Sequence, residues 1–167
     1  MPDVLTREQR SLNMRRVRGK DTGPEVFFRK GLHALGYRYN LHVRRLPGCP
    51  DLCLPKHRTV VFVHGCFWHG HQCPTFRWPR TRRSFWSAKI QRNRLRDDSA
   101  VQSLLAEGWQ ILIVWECALR GPHRRTPADV YEMCERFLAT PLPRVRQIAG
   151  RTPRARGGLR TTSIDNT

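Results

Sequence analysis

The sequence predicts an α/β fold, with a central mixed β-sheet flanked by helices. The order of the periodic segments is the first reason: helix, three strands, an irregular loop, helix, strand, helix. The second reason is the connections. Short turns join the first three strands into an antiparallel meander, whereas a helix precedes the fourth strand and lets it pair in parallel. The third is length, since 167 residues correspond to about one domain.

The first half of the domain combines a capped helix with the meander. Thr22 and Glu25 have the spacing of a capping box at the start of a helix, and Gly36 marks its end. Runs rich in apolar and β-branched residues, separated by turn residues, predict the three strands. These strands are expected at 37–43, 51–54 and 59–64.

The second half supplies two helices and the fourth strand. Ser84 is predicted to cap a helix that runs to about Glu107. The segment 109–116, WQILIVWE, is the strongest strand signal in the chain. Thr126 opens a last helix that ends at about Leu138.

Three segments divide the chain. Residues 22–140 form the predicted domain. Residues 1–21 are polar and basic, and are interpreted as an arm or a short helix that orders on a partner. Residues 141–167 are rich in Pro, Gly, Arg and Thr, have little to bury, and are expected to be a disordered, Arg-rich tail.

The charge indicates a polyanionic partner, most simply a nucleic acid. Lys and Arg number 31 against 13 Asp and Glu, which gives a net charge of +18. No acidic residue lies between Asp51 and Asp97, a stretch that carries ten basic residues. A segment with only positive charges is typical of a surface that follows a phosphate backbone.

The apolar content and the first residues argue against a membrane-spanning or secreted protein. No apolar run approaches the ~20 residues of a membrane span, and the first residues lack the apolar core of a secretory signal. A reducing compartment is therefore expected, in which the six cysteines are thiols, metal ligands or nucleophiles rather than disulfides.

A cluster of cysteine and histidine predicts a structural zinc site. Cys66, His71 and Cys73 lie within one loop, and Cys117 follows the strongest strand. Together they make a Cys3His tetrahedral set, and metal binding would supply folding energy to a loop with almost no apolar content. Two alternatives stay open: His69 could replace His71, and Cys117 could be a small buried apolar residue.

Acidic and histidine residues near the basic stretch indicate hydrolytic chemistry. Asp51 begins a strand, where a carboxylate can hold a hard cation against a phosphate, or can simply be a turn residue. His64 and His69 can transfer protons near neutral pH, although each could equally be packed or metal-bound. Glu25 could take part in this chemistry, or could simply be the N3 residue of its capping box, which is the favoured interpretation.

Aromatic residues lie among the arginines of the same region. Phe67 and Trp68 lie between the metal-ligand candidates, and Trp78, Phe85 and Trp86 follow. Such residues can stack on bases or insert between them, or can form a small core around the loop.

Four sequence blocks resemble the very short patch repair endonucleases, bacterial enzymes that nick DNA at T:G mismatches left by deamination of 5-methylcytosine. The resemblance covers residues of about 8–140, in blocks that read NMRRVRGKDTGPE, PGCPDLCLP, VVFVHGCFWHGHQC and FWSAKIQRNRLRDD. It implies a fold of the restriction-endonuclease class and Mg2+-dependent hydrolysis 5′ of the mismatched thymine. The usual motif of that superfamily pairs Pro-Asp with a later D/E-x-K. Here the first half is Pro50-Asp51, and the second half is Phe62-Val63-His64, which has neither acid nor lysine.

The resemblance also implies residue roles. Asp51 would bind Mg2+ directly, with the backbone carbonyl of Val63, where a Thr is common, as a second ligand. His69 would be the general base or proton donor, and His64 and Glu25 would orient metal-bound waters. Cys66, His71, Cys73 and Cys117 match the structural zinc site, and Asp97 is placed near the metal shell. The implied DNA contacts are Phe67, Trp68, Trp86, Lys89, Asn93, Met14, Arg15 and Arg16.

The implied partner is double-stranded DNA with a T:G mismatch, bound by a monomer in the bacterial cytoplasm at the nucleoid. Other mismatch-repair proteins and a downstream DNA polymerase are expected partners, and a membrane is not. The competing hypotheses are a non-catalytic, zinc-stabilised DNA-binding protein, a restriction endonuclease that makes double-strand breaks, and an RNA-binding or ribosome-associated protein.

Overall fold

The computed structural model describes residue 6 and residues 8–9, 12–13, 19–140 and 143–152. These residues form a five-stranded open sheet flanked by helices, as the sequence predicts. The helices are α1 (Gly23–Ala34), α2 (Arg83–Ala106), α3 (Glu116–Leu119) and α4 (Pro127–Ala139). The strands are β1 (Asn40–Leu41), β2 (Leu52–Leu54), β3 (Thr59–His64), β4 (Gln110–Trp115) and β5 (Val145–Ile148).

The strands lie in the order β1-β2-β3-β4-β5. The pairs β1–β2 and β2–β3 are antiparallel, and a short 3-10 turn, Pro55–His57, connects the second pair. The pairs β3–β4 and β4–β5 are parallel, with His64 opposite Trp115 at the end of the central pair. The predicted meander and the predicted parallel pairing after a helical connection are both confirmed.

One face of the sheet packs against α1 and α4. Leu52, Val61 and Leu112 point to this side and form a core with Phe28 and Leu32 of α1. These side chains are completely buried. Burial of a Leu or Phe side chain contributes roughly 1.5–3 kcal/mol, so this layer anchors α1 on the sheet.

The opposite face packs against α2. Val60, Phe62, Ile111 and Ile113 alternate with the residues of the first face and form a second core with Leu104 of α2. Because both faces are covered, the central strands are apolar along almost their whole length, which explains why β4 gives such a strong strand signal. Among helices of the described residues, none has the length and apolar character for a membrane crossing.

Three predicted boundaries are wrong. The strand expected at 37–43 is reduced to Asn40–Leu41, because His42 has a left-handed backbone with φ of 47° that ends the pairing. Helix α2 begins at Arg83 and not after Ser84, and its N-cap is Arg82, which has φ of 52°. The strand at 109–116 ends at Trp115, so that Cys117 lies in the short helix α3.

The expectation of a disordered tail from residue 141 onward is wrong for 145–148. These residues form β5, which pairs with β4 from Ile111↔Val145 to Val114↔Ile148. Ile148 is completely buried in the α1–α4 core. The segment VRQI has too few apolar residues to predict a strand by itself, and the exposed edge tolerates its polar side chains.

Candidate active site, metal centre and aromatic cluster

Asp51 is fixed by the hairpin that joins β2 and β3. It precedes β2, and its Oδ2 accepts a hydrogen bond of 2.7 Å from the backbone N–H of Val63 in β3. Burial raises the pKa of Asp51 to about 6, although this hydrogen bond acts in the opposite direction. The side chain is therefore a carboxylate held where an anion is costly, next to the peptide group of Val63.

His64, His69 and Asp97 meet beside it. The rings of His64 and His69 stack with centroids 3.8 Å apart and planes within 3°. His69 Nδ1 lies 2.5 Å from Oδ2 of Asp97, which projects from α2. Burial, reinforced by His69, lowers the pKa of His64 to about 3, so this imidazole is neutral at pH 7. His69, in contrast, has a carboxylate beside its Nδ1 that fixes the orientation of its ring.

Asp51, His64, His69 and Asp97 line one cleft of about 210 Å3, together with Val63. Arg94 holds the loop in place, because its guanidinium donates to the carbonyl oxygens of His69 and Gly70. Gly70 has φ of 61°, and a Cβ there would lie 2.6 Å from Ile90 Cγ2, so the loop can approach α2 only with glycine. The sequence reasoning missed Arg94, whose only signal is its place in the basic stretch.

Glu25 has two separate interactions. Its backbone N–H donates to Thr22 Oγ1 at 3.4 Å, which confirms the predicted cap of α1. Its side chain is only 2% exposed and does not return to the cap. Instead, Glu25 Oε1 lies 3.0 Å from Arg29 Nη1 and 3.2 Å from His42 Nε2.

This buried carboxylate is adjacent to Asp51. The N–H of His42 donates to the Asp51 carbonyl at 3.1 Å, and the charge of Glu25 contributes to the raised pKa of Asp51. Arg29 could have been found from its i,i+4 spacing to Glu25. His42 could not, since its contact depends on a single left-handed residue.

The four predicted zinc ligands lie together. The nearest possible ligand atoms of Cys66, His71, Cys73 and Cys117 are all within 4.8 Å of one another. His71 Nδ1 is 3.5 Å from Cys66 Sγ and 3.6 Å from Cys117 Sγ. With usual Zn–S and Zn–N bond lengths, a tetrahedron has S···N edges of about 3.6 Å, so the donor set fits Zn2+ in type and spacing.

The thiols of this cluster also interact with one another. A hydrogen bond from Cys66, together with one from the Gly150 N–H, lowers the pKa of Cys117 to about 5 despite burial. The same pairing raises the pKa of Cys66. The ring of Trp115 stacks on His71 at 4.1 Å with planes within 8°. His69 lies instead in the cleft with Asp51, and all six cysteines are free.

Three half-buried aromatic rings form a cluster at the tip of the loop and the start of α2. Phe67 is 5.2 Å from both Trp68 and Trp86, and the two indoles are 5.9 Å apart. Lys89 Nζ lies 5.1 Å from the Trp68 ring and 5.5 Å from the Trp86 ring. Asn93 Nδ2 donates to the Trp68 carbonyl at 2.8 Å, so its amide supports the cluster from α2.

Not every predicted contact can be located. Met14, Arg15 and Arg16 lie outside the described residues. The roles of Lys89 and Asn93 as DNA contacts stay predictions.

A buried carboxylate beside two histidines, in a strongly basic chain, fits the class of nucleases. Comparisons with known proteins identify the family. The family model described as DNA mismatch endonuclease Vsr matches residues 2–75. Type II nicking enzyme V.XorIIP of Xanthomonas oryzae pv. oryzae is 49% identical over 119 residues, which cover 71% of this chain and 88% of that protein. DNA mismatch endonuclease Vsr of Escherichia coli is 41% identical over 138 residues, covering 83% and 88%.

The chain belongs to the Vsr family of DNA endonucleases. It is therefore a hydrolase that acts on DNA, as the sequence blocks imply. A third relative, Type II nicking enzyme V.NmeAIP of Neisseria meningitidis, is 42% identical over 121 residues, which cover 72% of this chain and 86% of that protein.

Proposed function

We propose that the protein nicks one strand of double-stranded DNA, 5′ of the thymine in a T:G mismatch that arises from 5-methylcytosine deamination. The observation that carries this proposal is the cleft in which Asp51, His64, His69 and Asp97 converge, close to an aromatic cluster that can distort a duplex. Membership of the family, which includes the DNA mismatch endonuclease Vsr of E. coli, supports the mismatch as the substrate.

The divalent cation of this reaction would be Mg2+, held by Asp51 and the backbone carbonyl of Val63. Carboxylate and peptide oxygens are the ligands that Mg2+ prefers, and phosphate oxygens complete its coordination in many sites. When bound, Mg2+ lowers the pKa of a water and stabilises charge on the phosphodiester. The raised pKa of Asp51 supports this assignment, because a nearby cation compensates a buried carboxylate.

The two histidines would serve in proton transfer. His69, with Asp97 behind its Nδ1, presents Nε2 to accept a proton from the attacking water or to donate one to the leaving oxygen. His64 is neutral at pH 7 and stacks on His69, so it orients that ring and can accept hydrogen bonds from water. Glu25 would orient metal-bound water at the edge of the site, where His42 lies 3.2 Å from its Oε1 and donates its backbone N–H to the Asp51 carbonyl.

Mismatch selectivity would come from the aromatic cluster. Insertion of Phe67, Trp68 and Trp86 beside the mismatch costs a few kcal/mol of unstacking per base step, and a mispaired step costs least. Lys89 and Asn93, together with Met14, Arg15 and Arg16 of the arm, would contact the DNA around this site. The net charge of +18 would add affinity that decreases with salt.

The remaining features complete the proposal. The sheet with helices on both faces is compatible with a restriction-endonuclease-like fold, and the Cys3His cluster would hold one structural Zn2+. Residues 1–21 would be a DNA-binding arm, 22–140 the main part of the endonuclease domain, and 153–167 an electrostatic tail. The enzyme would act as a monomer in the bacterial cytoplasm, with other mismatch-repair proteins and a DNA polymerase acting downstream.

Strand-labelled duplexes that differ only in one T:G or C:G pair test the proposal. With Mg2+, the T-containing strand of the mismatched duplex should be nicked and the paired duplex left intact. Asp51→Asn should bind the mismatched duplex and leave it uncut. Cleavage of both strands would instead identify a restriction activity, and equal cutting of both duplexes would refute mismatch recognition.

A further inference from the structure

The segment from β5 to Arg151 reaches the zinc cluster through Gly150. The Gly150 N–H donates a hydrogen bond of 3.2 Å to Cys117 Sγ. A Cβ at this position would lie 2.5 Å from the Cys117 carbonyl oxygen and 2.8 Å from that of His123. Both atoms belong to the backbone and cannot rotate away, so only glycine allows this approach.

Contacts outside the cluster fix the position of Gly150. On one side, Arg125 Nε donates to the Ala149 carbonyl at 2.6 Å. On the other, the Arg151 N–H donates to the His123 carbonyl at 2.7 Å, and the Arg151 guanidinium lies 2.6 Å from Asp129. The N–H is therefore aimed at the sulfur by the surrounding chain, and not by the sulfur alone.

The same segment supports a second ligand of the cluster. Gln147 Oε1, in β5, accepts a hydrogen bond of 2.8 Å from Trp115 Nε1. The Trp115 ring in turn stacks on the imidazole of His71. Two of the four ligands thus depend on residues between 145 and 151, a segment whose composition predicts only a tail.

We propose that residues 145–151 are a positioning element of the zinc site, in which the Gly150 N–H donates to Cys117 Sγ and holds this sulfur in ligating geometry. This inference rests on the proposed zinc site. Partners of metal ligands typically change metal affinity by about 10–100-fold when they are removed. Coupling of binding to structure is reciprocal, so zinc also holds β5 and Gly150 in place.

The test compares Gly150→Ala with two matched glycine variants in the full-length protein. Gly23→Ala has nothing within 4 Å of the new methyl group, whereas Gly31→Ala displaces Tyr131 and strains the α1–α4 core. Zn2+ affinity is measured by competition with a chromophoric chelator, and the thiolate-to-metal absorption is recorded after Co2+ substitution. Gly150→Ala should bind Zn2+ about 10–100-fold more weakly and shift the Co2+ absorption.

The two controls separate a role at the metal from general destabilisation. Gly23→Ala should match wild type in every measurement. Gly31→Ala should lose stability and keep the wild-type Co2+ spectrum. A folded Gly150→Ala protein with wild-type Zn2+ affinity and spectrum would overturn the inference.

A measurement on the wild-type chain covers the case in which Gly150→Ala fails to fold. After substitution with 113Cd2+, the amide proton of Gly150 should show scalar coupling to the metal through the hydrogen bond to Cys117. A bound 113Cd2+ without this coupling would reject the inference while leaving the zinc site intact. If wild type takes up less than one equivalent of Zn2+, the zinc proposal itself fails.

Discussion

Replacement of Asp51 by Asn should stabilise the protein in buffer without Mg2+. The pKa of Asp51 is raised from 3.8 to about 6 in the folded chain, mainly by burial. The folded state then binds more protons than the unfolded state between these values, so this group lowers stability as the pH rises through that window. At 1.36 kcal/mol per pKa unit, the destabilisation is at most about 3 kcal/mol at pH 8 and about 1.5 kcal/mol at pH 5.

The Asp51→Asn substitution removes this charge and keeps a side-chain oxygen that can accept the Val63 N–H. The variant should therefore melt higher than wild type at pH 8, by at most roughly 6–12 °C at 2–4 °C per kcal/mol. The gap should shrink by about half at pH 5. His64, whose pKa is lowered to about 3, also affects stability at acid pH, but it is common to both proteins and cancels in the difference.

The assay is thermal unfolding at both pH values with Zn2+ supplied and Mg2+ omitted, then repeated with Mg2+. Magnesium should raise the melting temperature of wild type and leave Asp51→Asn unchanged, because ligand binding stabilises only the chain that holds it. Glu132→Gln is the control, since Glu132 is an exposed acid whose loss should change stability by less than about 1 kcal/mol. A less stable Asp51→Asn at pH 8, or a gap that is independent of pH, would refute the reasoning.

Three more predictions test other parts of the site and fold. Asp97→Asn should leave mismatch binding intact and slow nicking about 10²–10⁴-fold, because His69 loses the carboxylate at Nδ1. Single-turnover rates at saturating enzyme measure this effect, and an unchanged rate would exclude a role for Asp97 in the reaction. Trp68→Ala should reduce the preference for a T:G duplex over a paired one in competition binding, and equal losses on both duplexes would mean that Trp68 does not read the mismatch. Ile148→Ala should cost about 2–5 kcal/mol in urea unfolding, and a loss below about 0.5 kcal/mol would show that β5 is not part of the core.

The layered fold could be predicted because the sequences of its central strands are almost entirely apolar. The segments that form β3 and β4 are apolar along almost their whole length, which is typical of strands buried on both faces. Turn residues and an intervening helix then determine which pairs are antiparallel and which are parallel. Edge strands carry no such signal: β1 has two exposed residues, and β5 has one fully buried side chain among four.

In the candidate site, too, some residues could be predicted from the sequence and others could not. Asp51, His64 and His69 could be proposed as candidates because their residue types are chemically specific, and because His64 ends β3 and Asp51 immediately precedes β2. The supporting residues, Arg94 and His42, were harder to predict, because their residue types are common and their function depends on orientation. Arg94 and His42 act through contacts with backbone atoms of the loop and of Asp51, which no residue pattern encodes.

Glu25 shows why a structural and a functional explanation of one residue need not compete. The spacing to Thr22 predicts a cap, and the backbone N–H of Glu25 is capped. That hydrogen bond uses only the main chain, so it places no demand on the carboxylate. The side chain is free to turn inward, where the ion pair with Arg29 offsets the cost of its burial. A capping motif therefore predicts where a helix begins, but the chemistry of its third residue is decided by what the rest of the fold brings next to it.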